Sequence, residues 1–146
     1  METRYRNGEE VRLLYDIVGD GTVHDVGRGA PLMCAGATGF VKHSGPYLDD
    51  LVYDVHFLEA DRIVGCREKE LIPADHPWSR PAYERSQTVV AAMELASQGT
   101  TLAKQGTTGK VSAVRFVEGK GYVYEVSFDG ADTLALVFER QLKERP

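Results

Sequence analysis

Apolar and polar residues alternate along residues 51–57, where every second position is apolar and Asp54 and His56 lie between them. An alternation with a period of two is typical of a β-strand that buries one face and exposes the other. Residues 58–61 form a polar turn signal, and the β-rich run of residues 62–66 follows. The pattern therefore predicts a β-hairpin in this part of the chain.

A second copy of this pattern lies near the end of the chain. Residues 123–128 repeat residues 52–57 at an offset of 71, and residues 106–111 repeat residues 36–41 at an offset of 70. The difference of one residue indicates an insertion in the hairpin turn of the second copy. A repeat constrains the whole fold, and two copies of a short β unit predict two small domains and not a solenoid.

Each copy consists of short strands separated by glycine-centred turns, without interleaved helices, which favours a small β-barrel. We predict a mainly β protein with two tandem SH3-like barrels; an OB-fold, the alternative, needs more residues than the second copy has. The first barrel is expected over residues 1–76, with a long glycine-rich loop at residues 15–31. The second, shorter barrel is expected over residues 98–146.

Residues 77–97 are predicted to join the barrels as a proline-rich linker followed by the one α-helix of the protein. Pro81 suits the first turn of a helix, and Gly99 suits its end. Between them, residues 82–97 carry apolar side chains at helical spacing. These side chains are Val89, Val90, Met93 and Ala96.

Charge is distributed unevenly along a chain whose net charge is −5. Residues 1–76 contain 8 basic and 14 acidic side chains, whereas residues 98–146 contain 7 basic and 6 acidic ones. Phosphate contacts need clustered basic residues, so an acidic first domain disfavours nucleic-acid binding. No apolar run approaches the ~20 residues of a membrane helix. We therefore expect no membrane association and a cytoplasmic protein with reduced thiols.

No motif of a nucleophile, a phosphate loop or a dinucleotide site is present, so we expect no enzymatic activity and no cofactor. Cys34 and Cys66 are the two thiols. Iron–sulfur clusters and zinc normally need more ligands at closer spacing. Position 66 corresponds to Val137 in the second copy, which favours a buried packing role. An iron or iron–sulfur scaffold that uses both cysteines is the alternative.

Several segments of the first copy are distinctive, above all residues 62–72, which read Arg-Ile-Val-Gly-Cys-Arg-Glu-Lys-Glu-Leu-Ile. Residues 8–12, 20–22, 36–41 and 52–57 add further matches. On these segments the chain resembles the NifZ family of nitrogen-fixation accessory proteins over most of residues 8–74. The second half is similar in layout but carries few distinctive residues.

The resemblance implies a maturation factor for the molybdenum nitrogenase. Proteins of this family are expected to act, chaperone-like, on the immature molybdenum–iron protein while its P-cluster is built, alongside the iron protein as reductant. We place the contact surface on the first domain, because it carries the distinctive segment. The predicted partner contacts are His56, Arg62, Arg67, Glu68 and Glu70.

Overall fold

The computed structural model describes residues 3–18 and 31–146, and strands predominate in them. The chain divides into two compact units, Met1–Arg80 and Pro81–Pro146. The mainly β prediction is confirmed. In the described residues no helix is long and apolar enough to cross a bilayer. Most of the predicted long loop at residues 15–31 lies outside the described residues.

The first unit contains a five-stranded antiparallel sheet and a two-stranded one. Its strands are β1 (Glu10–Leu13), β2 (Ile17–Val18), β3 (Pro31–Met33), β4 (Thr38–Tyr47), β5 (Asp50–Phe57), β6 (Arg62–Arg67) and β7 (Leu71–Pro73). The order in the larger sheet is β6-β5-β4-β1-β7, and β2 pairs with β3. A 3₁₀ turn, Glu68–Glu70, joins β6 to β7.

The alternation in β5 is what builds the core of this unit. Tyr53, Val55 and Phe57 are buried, and the alternate residues face outward. In β6, Val64 and Cys66 point to the same interior, as the register with β5 requires. The predicted hairpin is thus present, and the side chains on its outer face are not part of the core.

The second unit has the same arrangement. Its strands are β8 (Thr88–Ala91), β9 (Leu95–Ser97), β10 (Thr100–Ala103), β11 (Thr108–Val117), β12 (Gly121–Phe128), β13 (Ala135–Phe138) and β14 (Leu142–Glu144). The sheet order is β13-β12-β11-β8-β14, and β9 pairs with β10. A 3₁₀ turn, Glu139–Gln141, precedes the last strand, as in the first unit.

The predicted α-helix at residues 82–97 is wrong, because this segment contains β8 and β9. β8 lies between β11 and β14 and forms a ladder with each of them. Val89 and Val90 are β-branched residues, which fit a pleated sheet better than a helix, and both are buried. The second unit consequently begins at Pro81, before the position 98 predicted from the sequence.

The equivalence of the units is clearest in a pair of buried tyrosines. Tyr5 and Tyr53 meet edge to face at 5.3 Å, and Tyr83 and Tyr124 do so at 5.4 Å. In each pair the second hydroxyl accepts a hydrogen bond from the backbone N–H of the residue preceding the first tyrosine, at 2.9 Å and 3.1 Å. The repeat therefore extends upstream to Tyr5 and Tyr83, at an offset of 78.

The segment after β7 packs on the first sheet through Trp78. The Arg12 guanidinium carbon lies 5.3 Å from the centre of a Trp78 ring, within cation–π range. Arg12 also donates hydrogen bonds to the carbonyls of Gly36 and Ala74, at 2.9 Å and 3.4 Å. A Cβ at Gly36 would lie 2.7 Å from Cη2 of Trp78, so only glycine leaves room for the indole.

Candidate functional site

An open groove of about 820 Å³ lies on the outer face of β4, β5 and β6 in the first unit. It extends along the end of the sheet next to the β4–β5 turn. Its walls are formed by backbone and side chains of three adjacent strands and of the 3₁₀ turn. The lining residues are His43, Gly45, Pro46, Tyr47, Leu48, Asp49, Asp50, Val52, Asp54, Gly65, Arg67 and Glu70.

The register of the strands places these residues on one face. Asp54 pairs with Gly65 of β6 and with His43 of β4, and Val52 pairs with Arg67 on the β6 side. The β4–β5 ladder shifts register between Val41 and His43, which is a β-bulge. After the bulge, His43 of β4 stands opposite Asp54 of β5 in the ladder.

Gly65 lines the groove beside Val52 and Asp54. A Cβ at this position would lie 3.1 Å from Cγ1 of Val52 and 3.9 Å from Oδ1 of Asp54. Any larger side chain would occupy the space beside the Asp54 carboxylate. The glycine thus leaves a narrow slot, with an apolar methyl group on one side and a carboxylate on the other.

The groove is acidic. Four carboxylates line it against the single guanidinium of Arg67, so about three negative charges remain when His43 is neutral. Arg67 Nε lies 3.1 Å from Asp50 Oδ2, and both side chains are about half exposed. An exposed ion pair of this kind contributes little stability. Asp54 Oδ2 lies farther from its neighbour, 3.8 Å from Nδ1 of His43.

Two large apolar residues form the rim of the groove. Tyr47 is 67% exposed and Leu48 is 87% exposed, both at the tip of the β4–β5 hairpin. Leu48 also has a positive φ of 56°, which is uncommon for a residue other than glycine. Exposed apolar side chains next to a polar groove are typical of an interaction surface.

Of the predicted contact residues, the structure brings Arg67 and Glu70 together in this groove. Glu70 Oε1 accepts a hydrogen bond from the Arg67 backbone N–H at 2.7 Å and closes the 3₁₀ turn. Glu68 has an internal partner instead, because its Oε1 accepts the hydroxyl of Tyr53 at 3.3 Å. Glu68 therefore supports the tyrosine pair of the core.

The other two predicted contacts lie outside the groove. His56 pairs with Ile63 in the ladder, and its Nε2 lies 3.0 Å from Oδ1 of Asp61 in the β5–β6 turn. Arg62 begins β6 and is half-buried. The five predicted residues thus follow one hairpin but do not form one site.

The two cysteines differ in their surroundings. Cys66 is fully buried in the core, and its thiol donates to the Val64 carbonyl at 3.6 Å. Burial, with smaller contributions from nearby carboxylates, raises the pKa of the Cys66 thiol to about 12. Metal ligation needs a thiolate, which this environment opposes. Cys34 is exposed, and the described residues contain no group of three or more candidate metal ligands.

Comparison with known proteins identifies the family. A model of the NifZ domain matches residues 2–73, the part of the chain that contains the groove. The chain is 38% identical to Protein NifZ of Klebsiella pneumoniae over 148 positions, which cover 97% of this chain and 99% of that protein. The chain belongs to the NifZ family. It is also 42% identical to Protein NifZ of Azotobacter vinelandii over 130 positions, covering 88% and 82% of the two chains.

Membership in the NifZ family makes this chain an accessory protein of nitrogen fixation. The NifZ domain match ends before the second unit begins. The relatives nevertheless align over most of their length and over most of this chain. Both units are therefore within the region shared with them.

The second unit fills the position at which the first has its groove. Leu136 stands where Gly65 does, and Glu125, the counterpart of Asp54, forms an ion pair of 2.7 Å with Arg115. Phe116 and Tyr122 meet edge to face at 5.1 Å near the corresponding hairpin turn. Sequence reasoning missed His43, Asp54 and Gly65 as site residues, although the exchange of glycine for leucine between the repeats was a visible signal.

Proposed function

We propose that this NifZ-family protein binds the immature molybdenum–iron protein of nitrogenase and assists the formation of its P-cluster. The observation that carries the proposal is the open groove on the unit matched by the NifZ domain. Its charged groups pair at a half-exposed surface, an arrangement suited to contact with another protein. We propose a non-catalytic role in the cytoplasm, with the nitrogenase iron protein as the reductant.

The proposed mechanism is differential binding. A chaperone of this kind holds an incompletely assembled conformation of its client and leaves when the cluster is complete. It can favour that conformation only by as much as it binds the precursor better than the product. Each tenfold preference corresponds to about 1.4 kcal/mol.

We also infer that each unit is an SH3-like barrel. The support lies in the strand order β6-β5-β4-β1-β7 of the first unit and the matching order of the second. A 3₁₀ turn precedes the last strand in both units, and a small hairpin follows the first strand. A strand order that is the same in both units is expected if each repeat is one complete folding unit.

The proposal is tested by anaerobic binding of the purified full-length protein to the molybdenum–iron protein in two forms. One form lacks the P-cluster, and the other is mature. We expect binding to the P-cluster-deficient form with at least roughly tenfold preference. Equal affinity for the two forms would remove differential binding, and no binding to either would remove the proposed client.

A further inference from the structure

We propose that the groove on β4–β6 binds a lysine or arginine side chain of the partner that has apolar neighbours in its own chain. The identity of the partner as the immature molybdenum–iron protein rests on the proposed function. The chemistry of the bound segment rests on the groove alone. Charge, shape and the exposed apolar rim support it separately.

Charge complementarity selects the cationic side chain. The groove carries four carboxylates and one guanidinium, and Asp50 already pairs with that guanidinium. Asp54 lies at the centre of the face, and its neighbour His43 is 3.8 Å away. A cation from a partner would bring a charge-assisted hydrogen bond to this carboxylate. An acidic segment would meet repulsion along the whole groove.

The slot at Gly65 suits the shape of such a side chain. Lysine and arginine bury an aliphatic stem on apolar surface and keep the charged end near polar groups. At Gly65, a methyl group of Val52 is available to contact the stem, and the Asp54 carboxylate is available to contact the charged end. The partner's charged group would therefore lie next to the Asp54 carboxylate.

The rim accounts for the apolar neighbours. Tyr47 and Leu48 project at the hairpin tip, largely exposed, beside Asp49 and Asp50. Apolar residues next to the bound cation would cover them and exclude water from the ion pair. Aromatic anchors surrounded by polar groups are the usual source of affinity at protein interfaces.

The second unit lacks the glycine and three of the four carboxylates. Leu136 replaces Gly65, Gly121 replaces Asp50, Lys120 replaces Asp49, and Gln141 replaces Glu70. The remaining acid, Glu125, is bound to Arg115. The inference therefore assigns recognition of the cationic segment to the first unit, and it supplies matched controls in the second.

The first experiment measures binding to the P-cluster-deficient molybdenum–iron protein by full-length variants. Gly65→Leu copies the second unit and fills the slot, and Asp54→Asn removes its charge with little change of shape. We expect each to weaken binding by roughly tenfold or more, with less dependence on salt for Asp54→Asn. The matched controls, Leu136→Gly and Glu125→Gln, are expected to bind within about twofold of the wild type.

Correct folding of each variant is checked by the amide spectrum of the first unit. Unchanged binding by a folded Asp54→Asn variant and a folded Gly65→Leu variant would overturn the inference while leaving the proposed function intact. If Gly65→Leu does not fold, Asp54→Asn alone decides, because it is nearly isosteric. Failure of the wild type to bind the client would remove the proposed function and leave the decision on the groove to a second experiment.

The second experiment uses a defined probe in place of the client. Amide shifts of the full-length protein are followed during titration with acetyl-Ala-Leu-Arg-Leu-Ala-amide and with the same peptide carrying glutamate at its centre. We expect the arginine peptide alone to shift Val52, Asp54 and Gly65, and Asp54→Asn to abolish the effect. Equal shifts with both peptides, or shifts spread over both units, would overturn the inference.

Discussion

The two units share one frame and differ on one face. Both bury a tyrosine pair, both close the sheet with a 3₁₀ turn, and both use the same strand order. On the outer face of the edge strands β6 and β13, however, the first unit has Gly65 and the second has Leu136. Because the second unit forms the same sheet with this space filled, the groove is not a requirement of the fold.

This difference separates residues that maintain the structure from those available for function. Tyr53 and Tyr124 occupy equivalent buried positions, so their roles are those of packing. Asp54 and Glu125 are also equivalent, but Glu125 lies 2.7 Å from an arginine of its own unit, whereas Asp54 lies 3.8 Å from His43. The contrast can be sharpened by substitutions made in pairs, one in each unit.

The largest effect is expected from truncating the core tyrosines. Tyr53→Ala removes a buried ring and its hydroxyl contacts, and should lower the free energy of unfolding of the first unit by about 3–5 kcal/mol. Tyr124→Ala should do the same to the second unit. Urea unfolding followed by amide signals of each unit measures both. A loss below about 1 kcal/mol in either would show that the tyrosine pairs are not equivalent supports.

A smaller effect is expected at a matched pair of glycines. A Cβ at Gly39 would lie 2.7 Å from the backbone oxygen of His56, whereas at Gly109 it would lie 2.7 Å from Cδ1 of Phe128 and 3.0 Å from the backbone oxygen of Ser127. The Phe128 side chain can shift more easily than the backbone of a paired strand, such as that of His56. Gly39→Ala should therefore cost about 1–3 kcal/mol, and Gly109→Ala less. Thermal unfolding of the two variants would contradict this if Gly109→Ala were the less stable.

Cys66 provides a pH-dependent comparison. Its folded-state pKa is raised to about 12, so the protonated thiol stabilises the fold at neutral pH. That contribution is lost as pH rises above the unfolded pKa of about 8.5, at about 1.4 kcal/mol per pH unit. Cys66→Val copies Val137 of the second unit and removes this titration.

From pH 7 to pH 9.5, the stability of the wild type should therefore fall by about 1.4 kcal/mol relative to Cys66→Val. Denaturant unfolding of both proteins at the two pH values measures this difference. A constant difference would show that the thiol titrates in the folded state with the same pKa as in the unfolded chain, so that burial does not hold it protonated. Retained activity of Cys66→Val in client binding would also argue against the iron-scaffold alternative.

The smallest effect is expected from opening the second unit. Leu136 is 64% exposed, so Leu136→Gly removes little buried surface and mainly adds backbone freedom in β13. The cost should be under about 1 kcal/mol. Calorimetry of the variant checks this value. A larger loss would mean that Leu136 supports the sheet and is not simply a filler of the groove position.

The sequence predicted the β5–β6 hairpin because the alternation of apolar and polar residues is visible within one short segment. The similarity of residues 123–128 to residues 52–57 extended the prediction to the second copy. It misplaced β8 because the repeat offset changes from 78 to 70 across the early loop, which hid the match between Tyr5 and Tyr83. Apolar side chains at helical spacing in residues 82–97 then suggested a helix. In the structure, pairing with β11 and β14 determines the conformation there.

The candidate site was predicted only in part for a related reason. Arg67 and Glu70 belong to a distinctive segment and were identified from it. His43, by contrast, reaches the groove only because a bulge shifts the ladder after Val41. The register of a bulged strand depends on its partner, so the alignment of His43, Asp54 and Gly65 could not be deduced from spacing alone.

The position of Trp78 has a practical consequence for spectroscopy. It is the one tryptophan of the chain, and it covers Gly36 and stacks on Arg12 within the first unit. Fluorescence excited beyond the tyrosine absorption band therefore originates from Met1–Arg80 alone. Unfolding of that unit can be followed by tryptophan fluorescence in the intact protein without labelling, because the second unit contributes no tryptophan signal.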